Sequence, residues 1–231
     1  VTGSVTGSIT GCDIDVTSSE SVKTLSTDES YTLTVVAPRI TISAPTVYGA
    51  LYALESLSQL VSSGSSISGT TIKDAPRFAF RATMIDTSRH WLSLKFIKQH
   101  IDAMSYSKFN VLHWHLVDSI SFPFESTTFP QMSLDGAYLP NEVYTHADVK
   151  EIIAYANGRG IRVIPEFDTP GHVYKGWEHL GVLTRCYDED GNAADTGPLD
   201  PTLDLTYDVL SRFYDEVKDV FSPETFVHVG G

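Results

Sequence analysis

At 231 residues, with a hydrophobic share of 42% and 19% charged residues, the chain has the length and composition of an ordinary globular protein of one or two domains. A net charge of −13 argues against nucleic acid or an anionic membrane as the principal partner, because phosphates repel such a surface; the same balance suits an acidic compartment. No apolar stretch reaches the roughly 18 residues of a membrane span, and the opening Val-Thr-Gly-Ser-Val-Thr-Gly-Ser has neither an initiator Met nor signal-peptide features, so we expect a processed or truncated N-terminus.

Residues 1–44 are rich in Ser, Thr and Val. The alternation in Tyr31-Thr32-Leu33-Thr34-Val35-Val36 and in Arg39-Ile40-Thr41-Ile42 predicts short strands of an antiparallel sheet. From Pro45 to Ser62 the apolar residues Val47, Leu51, Leu54, Leu57 and Val61 follow helical spacing, with Ser43 or Thr46 available as N-cap. The Ser- and Gly-rich run from Ser62 to Gly69 reads as a linker or loop. A small α+β domain is therefore expected over residues 1–75, and a second domain over 76–231.

From Arg77 onward strands and helices alternate. A strand at 82–88 precedes Leu94, Ile97, Ile101 and Met104 at helical spacing. A strand at 111–117 and a long loop precede the amphipathic set Val149, Ile152, Ile153 and Ala156, closed by Asn157-Gly158-Arg159-Gly160. A strand at 161–167 and another long loop lead to a helix with Leu205, Val209, Phe213 and Val217 turned inward, and a strand at 226–229 follows. Repeated βα units imply an α/β fold with a parallel sheet, most simply a (β/α)8 TIM barrel. Such a barrel needs eight units in about 250 residues, whereas the pattern here supplies four strands in about 155 residues. Half a barrel would leave apolar strand edges unpaired, so we expect the chain to be a segment of a longer protein or one piece of a nicked one.

The stretch Val163-Ile164-Pro165-Glu166-Phe167-Asp168-Thr169-Pro170-Gly171-His172 has the form of a buried strand whose C-terminal end opens into an active site. Asp86, Asp118 and Asp168 each lie at the end of a predicted strand, together with Arg89, His90, His115 and His172. Any one of these acids serves equally well as a helix cap; successive barrel strands, however, bring their tips around one axis. Arg89 offers a rigid fork of donors for sugar hydroxyls, or a salt bridge to Asp86. A carboxylate such as Asp118 fixes the tautomer of an imidazole such as His172. His113 and His115 alternate along a strand and face one side, with Trp114 opposite. They suit either metal ligation, as in barrel amidohydrolases, or hydrogen bonds to neighbouring carboxylates, and the lack of further ligands at convincing spacing favours the second. Cys12 and Cys186 are the only cysteines, and on their own they are compatible with pairing to each other, pairing to other segments, or free thiols.

These motifs resemble glycoside hydrolase family 20, the β-N-acetylhexosaminidases. The likeness rests on Arg77-Phe78-Ala79-Phe80-Arg81, Asp86-Thr87-Ser88-Arg89-His90, the run from Lys108 to Asp118, Glu166-Phe167-Asp168-Thr169-Pro170-Gly171-His172, Leu199-Asp200-Pro201-Thr202 and His228-Val229-Gly230-Gly231. The run from Ala44 to Leu51 more loosely resembles the family's small N-terminal domain. The overall likeness is nearest to eukaryotic lysosomal or secreted hexosaminidases.

The resemblance implies that Asp118 and His172 form a hydrogen-bonded pair near the general acid, with Asp168 in the same catalytic wall. It implies that Arg89 holds the terminal sugar, with His115 and Asp86 beside it as substrate-binding residues. It implies an Asp-Glu pair following Gly231, hydrolysis assisted by the substrate's own acetamido group, no metal or organic cofactor, and no turnover by the 231 residues alone. The expected partners are N-acetylhexosamine-terminated glycans, the remainder of the chain and a homodimer partner. The chain departs from the family's pattern at Ser119-Ile120, where a second Asp usually follows Asp118, and at Ala82, where Gly is usual. The eukaryotic relatives imply that Cys12 and Cys186 each pair outside this span, in an oxidising compartment, although no glycosylation sequon occurs here. Two other readings fit the residues: a metal-dependent barrel hydrolase using His113 and His115, and a non-catalytic glycan-binding or assembly subunit derived from the enzyme fold.

Overall fold

The computed structural model describes residues 7–62 and 66–230, so part of the expected linker, Ser63-Gly64-Ser65, lies outside the described residues. The chain divides into two compact units, Val1–Arg81 with Ser105–Lys108, and Ala82–Met104 with Phe109–Gly231.

The first unit holds four strands: β1 (Gly11–Val16), β2 (Tyr31–Val36), β3 (Arg39–Ala44) and β4 (Thr70–Asp74), in the order β1-β3-β2-β4. The expected antiparallel sheet is in fact mixed, because β1 pairs with β3 in parallel. β1 and β3 run parallel because the chain reverses twice between them, once between β1 and β2 and once in the β2–β3 hairpin. Helix α1 (Val47–Leu60) starts at Thr46, whose Oγ1 accepts from the Gly49 N–H. Its buried face is Tyr48, Gly49, Ala50, Tyr52 and Ala53, whereas Val47, Leu54 and Val61 of the expected face are exposed. Small residues win that face because the helix sits close: a Cβ on Gly49 would lie 2.2 Å from the Ser30 carbonyl oxygen. Spacing of the large aliphatics alone misses such a contact.

The second unit is built on β5 (Ala82–Asp86), β6 (Val111–Val117) and β7 (Arg162–Phe167), parallel neighbours in that order. Helix α2 (Leu94–Tyr106) joins β5 to β6 and buries Ile97, Ile101 and Met104. The β6–β7 connection carries a short helix, α3 (Gln131–Gly136), and then α4 (His146–Asn157), which buries Val149, Ile152, Ile153 and Ala156 as its periodicity predicts. The long loop expected after β7 contains a hairpin, β8 (Leu183–Tyr187) and β9 (Ala193–Leu199). Its turn, Asp188-Glu189-Asp190-Gly191-Asn192, is polar enough to be mistaken for loop throughout. Helix α5 (Asp204–Phe221) buries Val209, Phe213 and Val217, but Leu205 is exposed and Thr206 turns inward, its Oγ1 donating to the Asp200 carbonyl. Over 226–229 only an isolated parallel bridge between Glu166 and His228 forms among the described residues, backed by hydrogen bonds from Phe167 N to His228 O and from Thr169 N to Val229 O.

Between sheet and helices lies an aromatic core in which Phe213 touches the rings of Phe122, Phe124, Phe167 and Trp177. Trp114, the residue opposite the two histidines of β6, is wholly buried, with its indole N–H donating to Thr87 Oγ1. No helix among the described residues is long and apolar enough to cross a membrane.

Helix α4 carries a capping box: Thr145 Oγ1 accepts from Asp148 N while the Asp148 carboxylate accepts from Thr145 N. Thr145→Ala removes one half of that exchange. We expect a loss of about 1 kcal/mol in unfolding free energy, read as a lower denaturant midpoint at unchanged slope; an unchanged midpoint would remove the cap from the account.

Candidate active site

The parallel register sets the site. Asp86 on β5, His115 on β6 and Glu166 on β7 are Cα partners, so three polar residues form one row at the C-terminal ends of the strands, and the bridge to Glu166 adds His228. One step back, Met84, His113 and Ile164 form the next row. A register irregularity after His115 then bends the end of β6, and Asp118 sits in a tight turn closed by reciprocal hydrogen bonds with Ser121.

Asp118 is the hub. Its carboxylate is buried and saturated with donors: Oδ2 accepts from Arg89 Nη2 at 2.6 Å and faces His115 Nε2 at 2.9 Å. Oδ1 accepts from the Ser119 N–H at 2.6 Å and the Ser119 hydroxyl at 3.1 Å, and faces His172 Nδ1 at 3.2 Å. Burial pushes its pKa up, but the bonds from the Ser119 backbone, His115 and His172 outweigh burial and hold it below the usual carboxylate range. Ser119, a departure from the family's pattern, thus serves Asp118 directly through its backbone and hydroxyl.

Arg89 spans two acids, with Nη1 on Asp86 at 2.7 Å and Nη2 on Asp118 at 2.6 Å. The alternative role of Arg89 as partner of Asp86 is therefore realised together with the bond to Asp118. Asp86 Oδ1 also accepts from the backbone N–H groups of Ser88 and Arg89, so the loop after β5 is wound around this carboxylate. The Arg89 side chain remains 42% exposed, within reach of a polar ligand.

His172 adopts a left-handed backbone conformation, φ 51°, uncommon for a residue with a side chain. This turns a half-exposed ring back onto Asp118. Asp168 lies against the backbone of Gly230: a Cβ there would come 1.7 Å from Asp168 Oδ1, and φ is +89°, so the position admits only glycine without rearrangement. Donor atoms of Asp118, Asp168 and His172 lie within 4.8 Å of one another. Arg89, Asp86, Asp118, Asp168, His115 and His172 are thus assembled in one side-chain cluster, and His90 is exposed.

Glu166 lies within the strand motif, and the sequence alone assigns it no role. It is buried, with Oε2 2.6 Å from His113 Nε2 and 2.8 Å from His115 Nδ1, and Oε1 3.1 Å from His228 Nδ1. Burial raises its pKa, and the bond from His115 with the charges of His115, His113 and His228 brings it below the ordinary value. Its parity was the available signal, since a residue two before Asp168 on a strand faces the same side. The groups His113–Glu166–His228 and His115–Glu166–Asp168 have donor atoms close enough to hold a metal ion, yet His113 and His115 lie within hydrogen-bonding distance of the Glu166 carboxylate itself.

Residues 78–231 match the glycosyl hydrolase family 20 catalytic domain, and residues 3–60 match a beta-acetyl hexosaminidase like domain. The chain belongs to glycosyl hydrolase family 20. It is 49% identical over 212 residues to the human beta-hexosaminidase subunit beta, covering 90% of this chain and 38% of that protein. To the Rattus norvegicus beta-hexosaminidase subunit alpha it is 47% identical, over 88% of this chain and 39% of that protein. Among solved structures, Flavobacterium johnsoniae chitobiase aligns with a TM-score of 0.77 at 35% identity, over 88% of this chain and 32% of that one. A mutant Streptomyces plicatus beta-hexosaminidase in complex with its product, GlcNAc, aligns with a TM-score of 0.77 at 27% identity, over 95% of this chain and 46% of that one. The chain therefore spans about two-fifths of the length of the curated relatives it matches. Its α/β fold matches the family's TIM-barrel enzymes with their small N-terminal domain, of which it covers a part. Cys12 and Cys186 are both free and exposed.

Proposed function

We propose that the protein is a β-N-acetylhexosaminidase that releases terminal GlcNAc or GalNAc from glycoconjugates or chitin oligomers, and that this cluster lines its sugar pocket. The convergence of Arg89, Asp118 and His172 at the strand tips carries this reading. In it, Arg89 grips ring hydroxyls from the floor, its fork preset by Asp86 and Asp118. Asp118 and His172 form the polar pair beside the general acid, and Asp168 completes the wall.

The reaction in this reading is substrate-assisted. The acetamido oxygen attacks the anomeric carbon as the glycosidic oxygen leaves with a proton, giving an oxazolinium that water opens with net retention. A nucleophile held within the substrate removes an entropic barrier worth about 7–11 kcal/mol at the favourable limit. The enzyme must still supply an acid and a carboxylate facing the developing positive charge. The reading assigns both to an Asp-Glu pair after Gly231, so the 231 residues alone are expected to bind without turning over. It carries with it a lysosomal or secreted location and cysteines paired outside this span.

The test is hydrolysis by the full-length protein of a chromogenic N-acetyl-β-glucosaminide, with the corresponding β-glucoside as control. Cleavage of the first and not the second, with retention and no loss to chelator, is the expected result. Equal cleavage of both, or loss to chelator, would overturn it. Within that assay Arg89→Lys keeps the charge but loses the two-pronged geometry. Charge-assisted hydrogen bonds of about 1.5–3 kcal/mol are at stake, so kcat/KM should fall roughly tenfold to hundredfold, mainly through KM; unchanged kinetics would place the sugar elsewhere.

A further inference from the structure

We propose that His115 is a doubly protonated imidazolium fixed between Glu166 and Asp118, and that His115 and Glu166 are positioning residues which hold Asp118 anionic and immobile for the hexosaminidase reaction; this rests on the functional reading above.

The argument starts from what a neutral imidazole can do. It has one N–H and one bare lone pair. Both nitrogens of His115 face carboxylate oxygens, Nδ1 at 2.8 Å from Glu166 Oε2 and Nε2 at 2.9 Å from Asp118 Oδ2. A neutral ring would therefore press a lone pair against an anionic oxygen in a side chain only 6% exposed. Moving the missing proton onto a carboxylate does not solve this. Asp118 Oδ2 already accepts from Arg89 and Oδ1 from both donors of Ser119, and Glu166 Oε2 already lies 2.6 Å from His113 Nε2, while Oε1 faces His228 Nδ1, itself an acceptor from the Gly230 N–H. Two N–H groups on His115 give Glu166 Oε2 and Asp118 Oδ2 a donor each.

The surrounding charges agree. Facing the ring are Asp86 from β5, Glu166 from β7, Asp168 just beyond β7, and Asp118 just beyond β6. The permanent cation joined to this group is Arg89, reaching it through Asp86 and Asp118. His113 and His228 stand behind Glu166, and His172 stands on the far oxygen of Asp118. Burial works against charging His115, but Glu166 and Asp118 outweigh it and raise its pKa.

The consequence is a division of labour between two histidines on one acid. His115, buried and ion-paired on both sides, is a fixed charge. His172, 53% exposed, meets the other oxygen of Asp118 through Nδ1 and presents the rest of its ring to the open side of the site. His115, expected from the resemblance to meet the substrate, has no nitrogen left for it.

Nitrogen-15 NMR of the full-length protein with labelled histidine tests the charge directly. Two N–H resonances on His115 across roughly pH 5–8, the span in which an ordinary histidine loses its proton, are the expected result; a single N–H within that range would overturn the proposal. Glu166→Gln tests the positioning. With the anion behind it removed, His115 should lose its second proton more readily, and the carboxyl of Asp118, short of a cation, should rise in pKa. The acid limb of the kcat/KM profile should then move to higher pH, and kcat should fall about tenfold to hundredfold with KM little changed. An unshifted acid limb with a native kcat would sink the positioning role, and if the variant does not fold the resonances of the wild type still decide. Wild-type protein without hexosaminidase activity would overturn the functional reading while leaving the His115 resonances to be judged on their own.

Discussion

Asp118→Asn is expected to lower kcat/KM by roughly three orders of magnitude, near the middle of the range for a group that organises proton transfer. The carboxylate joins four neighbours, accepting from Arg89 and Ser119 and facing both His115 and His172. An amide of the same shape offers one acceptor where two were needed. Whichever way it turns, its NH2 confronts a donor, either the Arg89 and His115 side or the Ser119 and His172 side. Arg89 and His115 also each lose one of their two anionic partners. The geometry distinguishes this residue from a generic pocket acid: the loss should fall mainly on kcat, because the amide misplaces His172 and Arg89 together. Steady-state kinetics on the full-length variant, with its fold checked by circular dichroism, measure this. A folded Asn variant within tenfold of the wild type would mean that Asp118 is a structural acid.

How far the sequence foretells this arrangement depends on which physics dominates locally. Where one strong periodicity acts alone, the reading succeeds: α4 buries the four residues its spacing names, and Ile97, Ile101 and Met104 do the same for α2. It fails where backbone proximity competes with side-chain size. In α1 the close approach of Gly49 to Ser30 rotates Tyr48 and Tyr52 into the core and leaves Val47 and Leu54 outside. It fails again where polar turn residues interrupt weak strands, as in the hairpin β8–β9. In the candidate site, the strand tips name Arg89, Asp86, Asp118, Asp168 and His172 from sequence because strand ends are local features. Glu166 and the exact partners of His115 depend on register between strands separated by some 50 residues, and a single sequence carries no direct signal of register. The parity of Glu166 with Asp168 is visible, but nothing in it reveals that three histidines will close on the same carboxylate.

The second large effect concerns stability and lies in α5. Glu216 is a buried carboxylate on a helix whose other inward residues are mostly apolar. It holds the loop before α3: Oε2 accepts from the Ser126 hydroxyl and Thr128 N, and Oε1 from both the backbone and hydroxyl of Thr127. His146 Nε2 lies 3.0 Å from Oε1, at the start of α4. Glu216→Ala would leave the buried Ser126 hydroxyl and the Thr127 and Thr128 donors without their charged acceptor; with several bonds lost, each worth about 1.5–3 kcal/mol, the cost is about 3–5 kcal/mol. For a chain of this size that corresponds to a fall in Tm on the order of 10 °C. Acid adds an independent check. Burial raises the Glu216 pKa, but the bonds from Ser126, Thr127 and Thr128 outweigh it and leave the folded value below the ordinary one. The carboxylate's contribution is therefore complete above the unfolded value of about 4.3 and is lost as pH falls through the lower folded value. The gap in stability between wild type and Glu216→Ala should accordingly be widest near neutrality and narrow on acidification below that point. Denaturation of both proteins at neutral pH and near pH 3 measures the gap; one that stays constant or widens in acid would show that Glu216 acts through its methylenes and not its charge.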